Sequence, residues 1–205
     1  MKKLSFTLLK NSIKIFGILF FVLIISCSGS EYTKLVETEM ATNVVHDSII
    51  FGMKFGQTRQ EFYDQCWKLN NQKIITHGSS NKFVTYNLPI NKSDSTQKAI
   101  AMLFYGTFNK KKIMTGMDMK FYYVAWSLWN KSLQSDKLVP VVKDSLKSWF
   151  PGNDFITIQA KKTEGLIHVK VDGNRRIIIE PLKDTREVDV RIDDLRYMLN
   201  ENYEN

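Results

Sequence analysis

A chain of 205 residues with 43% hydrophobic and 24% charged side chains can bury a core of one ordinary domain or two small repeats, which excludes a disordered or fibrous protein. The formal charge of +8 is half a property of the N-terminus, where Lys2, Lys3, Lys10 and Lys14 occur without an acid; beyond it 25 basic residues face 21 acidic ones. Those charges are scattered, apart from Lys110-Lys111-Lys112 and Arg175-Arg176 with Lys161-Lys162, and no basic stripe with interleaved aromatics forms a nucleic-acid surface.

The basic first 14 residues lead into the unbroken apolar run 15–25, the order of a secretory signal peptide. A permanent membrane helix needs roughly 20 apolar residues, and this run is shorter. It ends in Ile24-Ile25-Ser26-Cys27, which resembles the lipobox of bacterial lipoproteins. The resemblance implies a signal peptide over 1–26, cleavage between Ser26 and Cys27, and lipid on the Cys27 thiol. Two or more acyl chains on one residue make a durable membrane anchor. Ser28 in place of Asp after the lipid site points, by the same resemblance, to the outer membrane of the cell envelope rather than the inner. With Cys27 lipidated, Cys66 has no disulfide partner, and a lone thiol in an oxidising compartment is expected to be buried.

Residues 27–48 are polar and aperiodic and read as a tether. The ordered domain is expected over 49–200, opening with a short strand and turn at 49–56. Thr58-Arg59-Gln60-Glu61 has capping-box spacing and predicts a helix over 59–69, with Phe62, Cys66 and Leu69 on its core face. The period then switches to two. Val84, Tyr86 and Leu88 share one strand face, as do Ile100, Met102, Phe104, Gly106 and Phe108, and a lysine-rich hairpin at 109–112 leads to a strand over 113–123. Met117 and Met119 alternate on that strand without Cys or His and read as core.

Residues 124–129 carry no boundary signal and either extend the strand or begin a short helix. A second helix is expected over 138–150, stopped by Pro151-Gly152, with Val139, Val142, Leu146 and Trp149 as its apolar stripe. Strands follow over 154–159, 166–171, 175–180 and 187–193, with Asp172-Gly173-Asn174 turning the middle pair. The halves 49–130 and 131–200 read as crude αβββ copies. The fold class is therefore α+β, an antiparallel sheet with helices packed on one face. Gly56-Gln57-Thr58-Arg59-Gln60-Glu61-Phe62 resembles the opening of small αβ-repeat envelope proteins, among them the small lipoprotein of the β-barrel assembly machinery and β-lactamase-inhibitor-like domains. Here the helix ends in Leu69-Asn70-Asn71 rather than a Leu-Gly turn before proline, and the resemblance implies a fold and no binding residues.

The chemical inventory is sparse. His46, His77 and His168 lack metal-ligand spacing, and His168 reads as a surface residue beside Leu166 and Lys170. His77-Gly78-Ser79-Ser80 has no nucleophile-elbow context. Glu187, Asp189, Arg191 and Asp193 alternate with Val188, Val190 and Ile192 as the polar face of a strand. No catalytic residue, metal or cofactor is expected. Among the aromatics crowded into the middle of the chain, Trp126 and Trp129 are the candidate partner surface, because tryptophan is enriched at binding hot spots. The expectation is a non-catalytic binding or scaffold module, tethered to the membrane through Cys27, with an envelope protein or glycan as partner. The alternatives are a hydrolase of envelope polymers, with two of Asp189, Asp193, His168 and Glu180 lining a deep cleft, and self-association through the aromatic middle of the chain around Trp126.

Overall fold

The computed structural model describes residues 30–78, 83–90, 98–160 and 165–201; Ser26 and Cys27, and so the expected lipidation site, lie outside them. The chain divides into two compact units, Met1–Lys34 and Leu35–Asn205. The elements of the second follow in the order α1 (Glu31–Ala41, which starts in the first unit), α2 (Arg59–Asn71), β1 (Thr76–His77), β2 (Val84–Asn87), β3 (Ile100–Phe108), β4 (Met114–Tyr123), a 3-10 turn, α3 (Ser135–Trp149), β5 (Ile156–Gln159), β6 (Leu166–Asp172), β7 (Arg175–Ile179), β8 (Val188–Asp194) and α4 (Leu195–Glu201).

The eight strands form one antiparallel sheet in the order β1-β2-β3-β4-β8-β7-β6-β5. Its central seam pairs β4 with β8, from Gly116 opposite Asp193 to Phe121 opposite Val188. Each half is a helix followed by four strands that step inward to this seam, from β1 to β4 and from β5 to β8. Both halves thus have the order αββββ rather than the expected αβββ, the first half including the two-residue strand β1 at His77.

Strand alternation places the core. Met117, Met119, Phe121, Val188, Val190 and Ile192 are essentially fully buried and join Met102 and Phe104 of β3, Phe62, Cys66 and Leu69 of α2, and Leu138, Val142 and Leu146 of α3 in one cluster. Each such side chain withdrawn from water contributes roughly 1.5–3 kcal/mol, so both helices are held to the same face of the sheet. Helix α2 starts at a complete capping box: the Glu61 amide donates to Thr58 Oγ1 at 3.2 Å and the Thr58 amide to the Glu61 carboxylate at 2.6 Å. Helix α3 begins three residues earlier than expected, because the Ser135 amide donates to Thr185 O at 2.9 Å and its hydroxyl to Asp184 O at 2.6 Å. A loop before β8 thereby satisfies groups that would otherwise be orphaned at the helix start.

Three expectations need correction. Residues 27–48 are not all tether: Glu31–Ala41 is helical, the Glu39 carboxylate accepts from the Gly173 amide at 2.9 Å, and the His46 amide donates to Asn174 Oδ1 at 2.6 Å. The domain therefore begins before Ile49. Residues 49–56 are a turn rather than a strand, because Phe51 and Gly52 adopt φ of 56° and 75° and fold the chain back, so that Ile49 N–H reaches Met53 O at 2.9 Å and Ile49, Met53 and Phe55 enter the core. Residues 124–129 are neither strand nor helix, but two successive turns.

A fourth difference concerns β6. Its register with β7 sets His168, Lys170 and Asp172 opposite Ile179, Ile177 and Arg175, on the helix-covered face. Lys170 is fully buried and bridges to Asp172 at 2.8 Å, and Arg175 lies over the Phe150 ring at 4.8 Å. A charged lysine tolerates such a place only when paired. His168 is half-buried, accepts or donates at 2.8 Å with Thr157, and is held below its ordinary pKa by burial and then by Lys143.

Candidate functional site: an aromatic groove beside the first sheet-packed helix

With Thr58 as cap, the turns of α2 set Phe62 and Cys66 inward, while Tyr63 and Trp67, each one residue further round, stay 56% and 68% exposed. Tyr63 and Trp67 form one rim of a groove of about 910 Å³. Its floor is Phe62, Cys66, Gly106 and Phe108, and the sheet edge closes it with His77 of β1, Phe83 and Val84, joined by Tyr105 from the other face of β3. The rings lock edge to face: Phe62 with Phe108 at 5.6 Å and 75°, and Phe83 with Tyr105 at 5.1 Å and 77°. Gly106 keeps the floor open to the Phe108 ring, which a Cβ there would meet at 2.8 Å. Burial pushes the Cys66 thiol up to about 11, so it is a neutral part of the floor.

The groove has a charged end. Arg59, first residue of α2, stacks its guanidinium over Phe108 at 5.0 Å, and its amide donates to Lys112 O at 2.9 Å. That contact joins the helix start to the hairpin bearing Lys110, Lys111 and Lys112, all exposed. No carboxylate belongs to the described lining.

The face of the sheet away from α2 and α3 is different. Cross-strand partners there carry opposite charge: Arg191 donates to Asp118 at 2.8 Å, and Lys120 bridges Glu187 at 2.8 Å and Asp189 at 3.2 Å. Lys183 bridges Glu180 and Asp189 at 2.8 Å each, and the Tyr105 hydroxyl donates to Asp118 at 2.7 Å. These groups surround a depression of only about 180 Å³. Burial alone would raise Asp189, but hydrogen bonds from Lys183 and Lys120 outweigh it and hold the carboxyl below its usual range. A general acid working near neutral pH needs the opposite shift.

Of the four hydrolase candidates, the structure brings together Glu180 and Asp189, both bridged by Lys183 in that shallow depression. Asp193 lies four residues along β8 from Asp189, about 13 Å at strand rise, where Arg176 binds it at 2.6 Å. His168 is on the other face. These positions do not share a deep cleft. Trp129 is 87% exposed on a turn, and Trp126 is half-buried, its indole N–H donating to Thr185 O at 2.9 Å with Arg186 over its ring at 5.6 Å. Neither lines the groove. Sequence reasoning missed Arg59, Tyr63 and Trp67; the available signal was Tyr63 and Trp67 at i, i+4, flanking the Phe62, Cys66, Leu69 stripe and widening it beyond what one core face needs.

Among the described residues no group of three His, Cys, Asp or Glu is placed to hold a metal ion, and no helix is long and apolar enough to cross a membrane. Compared with protein-family models, with curated proteins and with solved structures, the chain matches none.

Proposed function

We propose that this chain is a bacterial lipoprotein of the cell envelope, held by lipid on Cys27 on the outer membrane rather than the inner, and that its α+β domain is a non-catalytic binding module whose ligand seats in the groove beside α2. The observation that carries the binding reading is the exposure of Tyr63 and Trp67 over an apolar floor with Arg59 at one end. Tryptophan, tyrosine and arginine are the residue types that dominate binding energy when they ring a desolvated pocket. The opposite face supports a role without acid or base chemistry, since Lys183 and Lys120 hold Asp189 ionised, and Asp193, its pKa raised by burial, is bound to Arg176 away from that depression. A protein or glycan of the envelope fits the partner class that the anchor brings within reach.

The test is a photo-activatable side chain placed at Tyr63 of the full chain in cells and, as control, at Lys131 on the 3-10 turn. An adduct from position 63 and none from 131 is the expected result. Adducts from 131 alone would remove the groove from the binding role. The anchor is tested separately: Cys27→Ser is expected to abolish incorporation of labelled acyl chains, and unchanged incorporation would exclude lipid on Cys27.

A further inference from the structure

We infer that the groove beside α2 takes a single-chain anionic amphiphile, an alkyl or acyl chain whose carboxylate pairs with Arg59 and whose tail lies between Trp67 and the Phe62–Phe108 floor. This rests on the groove being the binding site of the module and goes beyond that reading by seating an amphiphile there in place of a protein or glycan.

The tail is argued from the lining. The floor presents aromatic carbon, an uncharged thiol and the bare backbone of Gly106, and about 910 Å³ lies within the range of small-ligand sites. An extended peptide would bring one donor and one acceptor per residue, and the floor side chains Phe62 and Phe108 with the bare Gly106 offer no side-chain partner to meet them. The Tyr105 hydroxyl is already committed to Asp118. A peptide group buried here without a partner is penalised, whereas a methylene chain asks for no partner. Each CH₂ withdrawn from water tightens binding by up to about fourfold.

The charged end is argued from Arg59. Among the described residues it makes no ion pair, and its guanidinium faces only the Phe108 ring. A stacked guanidinium keeps its in-plane donors free for a carboxylate, and the lining holds no acid to compete. The three lysines on the adjoining hairpin, also without ion pairs among the described residues, add an attractive field for an anion and repel a cationic head.

The experiment uses the full chain in phosphatidylcholine vesicles with a photo-activatable palmitate analogue, adducts being located by mass spectrometry. Labelling is expected within residues 59–67 and 105–108. Unlabelled palmitate should compete, hexadecanol about tenfold less well for want of the charge-assisted bond, and hexadecylamine least. Arg59→Glu and Trp67→Ala, both at exposed positions, should each lower labelling at least tenfold while unfolding as the parent does, and Trp129→Ala should leave it unchanged. Equal labelling by a photo-activatable phosphatidylglycerol in the bilayer would overturn the proposal in favour of a lipid surface. Labelling indifferent to Arg59→Glu would overturn the carboxylate assignment. Failure to label the groove, with an adduct to a protein or glycan still formed from position 63, would remove the amphiphile and leave the binding module standing; failure of both would remove both.

Discussion

Lys170 Nζ lies 2.8 Å from Asp172 Oδ2, two residues along one strand, with side-chain exposures of 1% and 6%. The pair sits under the bend that ends α3: the Asn153 amide donates to Asp172 Oδ1 at 2.7 Å and the Lys170 ammonium to Asn153 O. Two ions withdrawn from water thus fasten the helix end to β6.

Removing one partner strands the other. Asp172→Ala is expected to lower stability by about 3–5 kcal/mol, the usual cost of leaving a buried charge uncompensated, measured by urea unfolding. Gly152→Ala should also destabilise, because φ is +140° and a Cβ would lie 2.2 Å from Asp172 Oδ1. Parent-like unfolding midpoints for both variants would show that the cluster is not buried as described.

Gly116 marks the seam between the halves. A Cβ there would lie 2.6 Å from the Ile192 carbonyl oxygen of the paired strand, and backbone at the centre of a sheet yields little. Gly116→Ala is therefore expected to destabilise by about 1–3 kcal/mol and to do so for both halves in one transition. Two separated transitions would instead mean that the copies fold independently.

Much of this architecture was legible in the sequence because alternation reports which strand face is buried. Val188, Val190 and Ile192 went inward and Asp189 and Arg191 outward as their spacing required, and Thr58 and Glu61 announced α2. The same logic failed at β6, where alternation sends charges to water and Lys170 goes inward because Asp172 compensates it. The docked segment 42–56 is aperiodic, being held by single bonds such as His46 N–H to Asn174 Oδ1 and by a turn at Phe51 and Gly52. The groove was illegible for a different reason. Trp67 and Phe108 are forty-one positions apart, and only the packing of α2 on β3 brings them to one site.

The acid limb of the stability curve should report Asp189. Its folded pKa is depressed, so its contribution is complete above the unfolded value of about 4 and fades as pH falls through the lower folded value. Asp189→Asn should differ from the parent at pH 7 and converge with it as the pH drops below about 4. A stability difference independent of pH would mean that Lys120 and Lys183 do not hold the carboxylate.

Cys66 and Cys27 can be separated by one thiol titration. With its pKa raised to about 11 and its side chain buried, Cys66 should be inert to a disulfide reagent at pH 8 in the native chain and react once in denaturant, since the thiolate is the reactive form. Lipidated Cys27 should contribute no thiol in either state. Immediate reaction of a native thiol mapping to Cys27 would contradict the anchor, and one mapping to Cys66 would contradict its burial.

The central claim is that the α2 groove is the binding surface, and capture from native membranes tests it most directly. The full chain, its Trp67→Ala variant and its Trp129→Ala variant are compared for the amount of crosslinked partner or ligand recovered at equal expression. The account predicts a drop of at least tenfold for Trp67→Ala, the loss of one hot-spot residue, and parent-like recovery for Trp129→Ala. Unchanged recovery for Trp67→Ala with a loss for Trp129→Ala would contradict it and move the binding surface to the turns that follow β4.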